Sequence, residues 1–180
     1  GGHAIFLGPD DIHLGHGEPL RDTARAISRY ADFIMARVFD HADVVELAEF
    51  ASIPVINGLT DDAHPCQTLA DLLTLQEQFG TLDVDLAWVG DGNNVCQSLV
   101  LGAALTDLNL TVATPAGYEI DETVRERAAT LGDTPVETTD PEEAIDGADI
   151  IYTDVWVSMG QEDEREQKLR DFDGFQLTTD

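Results

Sequence analysis

Several short polar segments carry the side chains in this sequence that are best suited to chemistry. Residues 154–160 read Asp-Val-Trp-Val-Ser-Met-Gly and follow the apolar run 148–153, which has the length and composition of a buried parallel strand. Polar residues at the carboxyl end of such a strand lie where open α/β sheets bind ligands. Asp154 is therefore a candidate to hold a cationic amine, and Ser158 and the Met159 backbone could hold its other polar atoms. An ordinary turn is the competing interpretation.

A second segment places His64 and Gln67 at the start of a predicted helix. Pro65 disfavours helical geometry at His64 and then begins the helix itself. Side chains at this position lie beside free N–H groups and the positive end of the helix, which favours an anion or a polarised oxygen. His64 and Gln67 could both donate to one carbonyl oxygen, although a capping histidine and a surface glutamine explain the pattern equally well.

The third segment, Gly-Asp-Gly-Asn-Asn at 90–94, joins another predicted strand to a helix and resembles the start of a dinucleotide-binding motif. The third position of that motif holds Val95, and the next strand ends at 114–115 without an acidic ribose ligand. A nicotinamide site is therefore poorly supported. Asn93 and Asn94 offer donors and acceptors that suit a zwitterionic small molecule, with helix capping as the alternative.

The charge of the chain is strongly negative. Asp and Glu total 36 against 9 Lys and Arg, a net charge of -27, while hydrophobic residues make up 43%. Because the acids are spread over every predicted helix and loop, we interpret them as adaptation to high salt, with a specialised acidic face as the alternative. Nucleic acid is a poor partner, since phosphates need basic patches.

Arg37 lies at the end of a predicted strand in a chain that is poor in arginine. It is therefore a candidate for function, with a solvated side chain as the alternative.

The sequence also argues against several classes of protein. No apolar run approaches the ~20 residues that span a bilayer, and residues 1–10 lack the features of a signal peptide. Cys66 and Cys96 fit a reducing cytoplasm, and the histidines His13 and His16 have no third metal ligand nearby in the sequence. We expect a cytoplasmic protein with no membrane partner, no metal and no other cofactor.

Short apolar runs alternate along the chain with amphipathic ones, which is typical of parallel βαβ units. The predicted strands are residues 3–7, 33–37, 54–57, 86–90, 110–114, 135–138 and 149–153. The predicted helices are residues 19–30, 41–51, 66–79, 93–106, 121–131 and 161–170, with a short one from 141. We predict an α/β fold with two doubly wound, Rossmann-like parallel-sheet domains, each incomplete. The long helix 66–79 joins them, so that residues 1–80 form one domain and residues 81–180 the other.

In their order, these segments closely resemble the ornithine carbamoyltransferases over essentially the whole chain. The matching motifs are His-Pro-Cys-Gln at 64–67, Gly-Asp-Gly-Asn-Asn at 90–94 and Asp-Val-Trp-Val-Ser-Met-Gly at 154–160, with supporting stretches at 11–15, 22–25 and 53–59. The first motif is shared across transcarbamoylases, whereas Ser-Met-Gly points to ornithine. The resemblance implies transfer of the carbamoyl group of carbamoyl phosphate to the side-chain amine of ornithine, which gives citrulline and phosphate.

The resemblance also implies a role for each site residue. Arg37, His64 and Gln67 would grip the carbamoyl oxygen and stabilise the negative charge that builds there as the amine attacks. Four residues would hold the amino-acid end of ornithine: Asn94, Asp154, Ser158 and Met159. Asn94 is preferred to Asn93 on motif position alone. His13 matches a loop that reaches the phosphate site of a neighbouring subunit, and a homotrimer is implied.

Two family elements have no counterpart in the 180 residues. These are the Ser-Thr-Arg-Thr-Arg phosphate loop, expected before residue 1, and the His-Cys-Leu-Pro element, expected after residue 180. We therefore expect the chain to be an internal fragment that is inactive alone. The alternatives are a transcarbamoylase for another amine such as putrescine, and a non-catalytic nucleotide-binding domain. Arginine biosynthesis and the arginine deiminase pathway both remain open as the biological context.

Overall fold

The computed structural model describes residues 2–8, 18–157 and 162–178. Contacts divide the chain into two compact units, residues 1–61 and 62–180. The helices are Leu20–Ile27 (α1), His41–Phe50 (α2), Pro65–Phe79 (α3), Asn94–Ala104 (α4), Glu122–Leu131 (α5), Pro141–Ile145 (α6) and Arg165–Asp171 (α7). The strands are Ile34–Arg37 (β1), Val55–Leu59 (β2), Asp85–Val89 (β3), Asn109–Ala113 (β4), Val136–Thr138 (β5) and Ile150–Tyr152 (β6). A short 3-10 helix, Glu162–Glu164, precedes α7.

The first unit is built on the parallel strand pair β1–β2. Ile34 pairs with Val55, and the register shifts just before Arg37, which pairs with Leu59. Residues of α1, β1 and α2 form its buried core: Ala24, Ala36, Val44 and Leu47. Ala36 points into that core while its neighbour Met35 is 61% exposed, as the two-residue period of a strand requires.

The second unit is a four-stranded, fully parallel sheet in the order β5–β4–β3–β6. Both faces of the sheet are covered, which explains why β3 reads as an almost continuous apolar run. Leu86 and Trp88 belong to a large core shared with α3, α4 and α5. Ala87 and Val89 face the opposite side, where they pack with α6 and with Phe172.

The order of the strands creates one special position in this sheet. The chain moves outward from β3 to β4 and β5 and then returns to place β6 on the other side of β3. Connections that leave two adjacent strands in opposite directions open a crevice at their carboxyl ends, and ligands of open α/β sheets bind there. The carboxyl ends of β3 and β6 lead directly into residues 90–94 and Asp154.

The α/β architecture with parallel sheets is confirmed, and six of the seven predicted strands are present. The strand predicted at 3–7 is wrong: these residues have no regular structure, and Ile5 and Phe6 are 69% and 86% exposed. A strand needs a hydrogen-bonded neighbour, and no described residue pairs with this segment. By contacts α3 belongs with the second unit. A domain boundary near Gly80 stays a prediction.

Candidate active site

His64 occupies the position just before α3, with φ −133° and ψ 65°, because Pro65 excludes helical geometry there. Its Nδ1 accepts a hydrogen bond from the backbone N–H of Gln67 at 3.3 Å. A neutral imidazole whose Nδ1 accepts carries its proton on Nε2. His64 is therefore a helix cap and an Nε2–H donor at the same time, so the two sequence interpretations of this residue are compatible.

Ser98 connects the start of α3 to the start of α4. The backbone N–H of His64 donates to Ser98 Oγ at 2.7 Å, and Ser98 Oγ donates to the backbone oxygen of Asn94 at 2.8 Å. Ser98 is buried, so these two bonds are shielded from competing water. The predicted site residues His64 and Asn94 are thus held at a fixed separation through one hydroxyl group.

Asn93 uses both ends of its side chain within the protein. Its Oδ1 caps α4 by accepting from the N–H groups of Val95 at 3.0 Å and Cys96 at 3.1 Å. Its Nδ2 donates to Oδ2 of Asp154 at 3.1 Å. The cap therefore orients the carboxylate at the end of β6, across the crevice between β3 and β6.

Asp91, the second residue after β3, is buried and forms an ion pair with Lys168 of α7. Burial raises the pKa of the Asp91 carboxyl, and the Lys168 ammonium acts in the opposite direction. Lys168 is the only lysine of the chain. Its ammonium also lies 5.4 Å from the ring centre of Tyr118. The pair anchors α7 to the sheet beside the crevice.

Gly92 has a packing role that does not involve a nucleotide. A Cβ at this position would lie 2.6 Å from the backbone oxygen of Tyr118 and 2.8 Å from the backbone of Glu119. The N–H of Gly92 donates to that same Tyr118 oxygen at 2.9 Å. Glycine is required here because another stretch of backbone passes directly over it. This contact explains the glycine at position 92 without a dinucleotide.

Gln67 and Asp71 lie one turn apart on α3. Gln67 Nε2 donates to Asp71 Oδ1 at 2.8 Å, and the hydroxyl of Tyr152 in β6 donates to Asp71 Oδ2 at 3.0 Å. Reasoning from the sequence did not single out Asp71, Tyr152 or Ser98. The spacing of Gln67 and Asp71 was a usable signal, since residues four apart share a helix face.

The predicted site residues fall into three groups by location. His64, Gln67, Asn94 and Asp154 all belong to the second unit, at the starts of α3 and α4 and the end of β6. Arg37 is exposed at the end of β1 in the first unit. The predicted residues His13, Ser158 and Met159 lie outside the described part of the chain.

Other features of the described chain lie apart from this site. A cleft of about 730 Å³ at the amino ends of β3, β4 and β5 is lined by several acids, including Asp83, Asp85, Asp107 and Asp133. Within residues 2–8, 18–157 and 162–178, no group of three or more His, Cys, Asp or Glu is arranged to hold a metal ion. Among the helices of these residues, none combines the length and the hydrophobicity that a membrane span requires.

The arrangement in the second unit combines an imidazole donor, a carboxamide and a carboxylate at one edge of a parallel sheet. These groups suit a small molecule that carries a carbonyl oxygen and a cationic amine. The fold and site together are typical of a small-molecule-binding α/β domain whose ligand lies at the switch point of the sheet.

Two family models together match almost the whole chain. Residues 1–77 match the carbamoyl-P binding domain of aspartate/ornithine carbamoyltransferase, and residues 82–180 match its Asp/Orn binding domain. The chain therefore belongs to the aspartate/ornithine carbamoyltransferase family. The resemblance inferred from its motifs is confirmed.

Individual relatives agree with this assignment. The chain is 62% identical over 178 residues to an ornithine carbamoyltransferase of Haloquadratum walsbyi, covering 98% of this chain and 59% of the relative. It is 49% identical to an ornithine carbamoyltransferase structure from Pyrococcus furiosus, with a TM-score of 0.90 over 98% of this chain and 58% of the other. The anabolic enzyme of Campylobacter jejuni gives a TM-score of 0.92 at 37% identity, over 97% of this chain and 60% of the other. The chain spans about three-fifths of these relatives.

Proposed function

We propose that the polypeptide carrying this chain transfers the carbamoyl group of carbamoyl phosphate to the side-chain amine of L-ornithine, giving L-citrulline and phosphate. The observation that carries the proposal is the meeting of family motifs at one edge of the second unit. The starts of α3 and α4 are tied together through Ser98, and Asp154 is held from the start of α4 by Asn93. The names of the relatives favour ornithine as the acceptor.

The first part of the mechanism is stabilisation of charge on the carbamoyl oxygen. The amine nitrogen attacks the carbamoyl carbon, a C–N bond forms, the C–O bond to phosphate breaks, and the amine gives up a proton. His64 would donate its Nε2–H to the oxygen that becomes negative in the transition state. The resemblance assigns the same role to Gln67 and to Arg37. No covalent intermediate is needed, and neither a metal nor another cofactor is invoked.

The second part is recognition of ornithine. Asp154 suits the α-ammonium group by charge, and Asn94, Ser158 and the Met159 backbone would hold the other polar atoms of the amino-acid end. The preference for Asn94 over Asn93 rests on motif position, and Asn93 uses both polar ends of its side chain to cap α4 and to hold Asp154. The role of His13 at the phosphate site of a neighbouring subunit rests on the resemblance.

We propose the remaining properties on the same basis. The polypeptide would be a cytoplasmic homotrimer that acts in arginine biosynthesis or the arginine deiminase pathway and tolerates high salt. The 180 residues alone would not make citrulline. Comparing the 180-residue chain with the longer polypeptide in one citrulline assay tests the last point, and turnover by the short chain would contradict it.

The test of the proposed function is a citrulline assay on the complete polypeptide, with ornithine and putrescine as competing acceptors. We expect turnover of ornithine, and a loss of about 100-fold or more in kcat for His64→Ala, since one oxyanion donor is removed. Asp149→Asn is the matched surface control for Asp154→Asn, and only the Asp154 variant should raise KM for ornithine. Absence of citrulline, or preference for putrescine, would overturn the proposal.

A further inference from the structure

Gln67 is held by a hydrogen-bonded chain that reaches from α3 to β6. Its Nε2 donates to Oδ1 of Asp71 at 2.8 Å, and the other carboxylate oxygen of Asp71 accepts from the Tyr152 hydroxyl at 3.0 Å. All three side chains are half-buried and belong to the second unit. These hydrogen bonds link the helix that carries His64 and Gln67 to the strand that leads into Asp154.

The chemistry of the carboxylate decides which end of the Gln67 amide faces it. A side-chain amide has a donor end and an acceptor end of nearly the same shape, whereas an ionised carboxylate only accepts. Asp71 therefore binds the Nε2 end and would repel Oε1. Turning the amide over would replace one hydrogen bond with a contact between two acceptors, so one orientation is selected.

Tyr152 is suited to hold Asp71 in place. Its ring packs against the fully buried ring of Trp88, with centroids 4.8 Å apart. Burial raises the pKa of the Tyr152 hydroxyl, the charge of Asp71 raises it further, and the Gln67 amide acts in the opposite direction. The hydroxyl therefore keeps its proton and remains a donor throughout the neutral range.

We propose that Asp71 and Tyr152 are positioning residues for carbamoyl transfer, which act by fixing the Gln67 amide in a single orientation at the start of α3. The inference rests on the proposed function, because it takes Gln67 to contact the carbamoyl group. Asp71 and Tyr152 touch no reacting atom in this account. Their contribution is that the amide does not have to be reoriented when the substrate binds.

The chain contains a second set of side chains with the same pattern, which provides a matched control. On α7, Gln167 Nε2 donates to Asp171 four residues later at 2.8 Å, and the Tyr118 hydroxyl donates to Asp171 at 2.8 Å. Gln167 is exposed and belongs to none of the motifs of the proposed site. Tyr118→Phe and Asp171→Asn therefore make the same chemical changes as Tyr152→Phe and Asp71→Asn, away from Gln67.

A kinetic double-mutant cycle on the complete polypeptide separates positioning from general structural damage. Tyr152→Phe and Asp71→Asn should each lower kcat/KM for carbamoyl phosphate on the order of five- to tenfold, with KM for ornithine unchanged within about twofold. In a Gln67→Ala background the same two substitutions should lower kcat/KM by less than about twofold, since the amide that they orient is absent. Tyr118→Phe and Asp171→Asn should leave kcat/KM unchanged, both in the wild-type protein and in the Gln67→Ala background.

Hydrogen exchange of the side-chain amides provides a readout that does not depend on activity. In protein with isotope-labelled glutamine, the Gln67 amide should exchange more slowly than that of exposed Gln76. Tyr152→Phe should accelerate exchange at Gln67 and not at Gln167. Tyr118→Phe should accelerate exchange at Gln167 and not at Gln67. Fast exchange at Gln67 in the wild-type protein would overturn the inference.

The kinetic outcomes distinguish this inference from the function on which it rests. One outcome is that the wild-type polypeptide makes citrulline and that the variants Tyr152→Phe and Asp71→Asn have the same kcat/KM within about twofold. This outcome overturns the inference alone. Equal losses of kcat/KM in the presence and absence of Gln67 would also overturn the inference, because Asp71 and Tyr152 would then act by another route. If the wild type makes no citrulline, the proposed function fails and the catalytic part of the inference fails with it.

Discussion

Asn93 has two structural roles that a series of substitutions can separate. Its Oδ1 caps α4, and its Nδ2 holds the carboxylate of Asp154. Asn93→Ser keeps a capping oxygen and removes the donor to Asp154, whereas Asn93→Ala removes both. Asn94→Ala changes the neighbouring residue, whose side chain does not cap the helix.

The structure sets the expected size of each effect. Loss of an N-cap costs about 1 kcal/mol. The bond from Nδ2 to the charged Asp154 is 3.1 Å long and only partly buried, so its loss costs about 1 kcal/mol, below the usual value for a charged partner. Asn93→Ala should therefore lower the free energy of unfolding by about 2 kcal/mol, and Asn93→Ser by about 1 kcal/mol.

The assay is urea unfolding of the complete polypeptide, followed by fluorescence of the tryptophans, one of which, Trp88, is fully buried in the second unit. Steady-state kinetics of the same proteins should show a higher KM for ornithine in both Asn93 variants, because Asp154 is no longer oriented. Asn94→Ala should also raise that KM, because the resemblance assigns Asn94 to the amino-acid end of ornithine. Equal stability losses for Asn93→Ser and Asn93→Ala would refute the capping argument, and an unchanged KM in both would refute the role of Asn93 in orienting Asp154.

Three further predictions concern stability. Gly92→Ala should lower the free energy of unfolding by about 1–3 kcal/mol, because the new Cβ meets the backbone of Tyr118 and Glu119, and an unchanged melting temperature would contradict this. Burial and the Asp171 carboxylate raise the pKa of Tyr118 from 10.0 to about 12. The stabilisation of the fold by the protonated Tyr118 hydroxyl is therefore complete below pH 10 and is lost as the pH rises towards about 12. Tyr118→Phe should reduce this alkaline loss of melting temperature, while the exposed control Tyr30→Phe should leave it as in the wild type. The net charge of -27 predicts a melting temperature that rises from about 0.1 M to about 2 M KCl, and equal values would count against adaptation to high salt.

Local signals in the sequence predicted most of the elements that carry the site. Pro65 and Gly80 mark the ends of α3, and Gly80 has the left-handed φ of 75° that favours glycine after a helix. The apolar runs of β3 and β6 predicted buried strands, so the carboxyl-end positions of residues 90–94 and Asp154 followed from strand geometry. The segment 3–7 was predicted wrongly because a short apolar run forms a strand only when a neighbouring strand is available to pair with it.

The partners of the site residues were not accessible to the same reasoning. Asp71 and Tyr152 are 81 residues apart in the sequence and meet through a 3.0 Å hydrogen bond. Asn93 and Asp154 are 61 residues apart, and the sequence alone left the choice between Asn93 and Asn94 to motif position. Lys168 and Asp91 are 77 residues apart, and nothing local indicates that the only lysine of the chain is buried against a carboxylate.

The sequence by itself determined the α/β class, the limits of most helices and strands, the acidic character and the family, because each of these depends on residue type and on spacing within a short segment. Only the tertiary structure decided which polar atoms face each other at the crevice between β3 and β6. Hydrogen bonding depends on the distance and direction between atoms. For residues far apart in the chain, those quantities are set by the order of the strands and the packing of the helices.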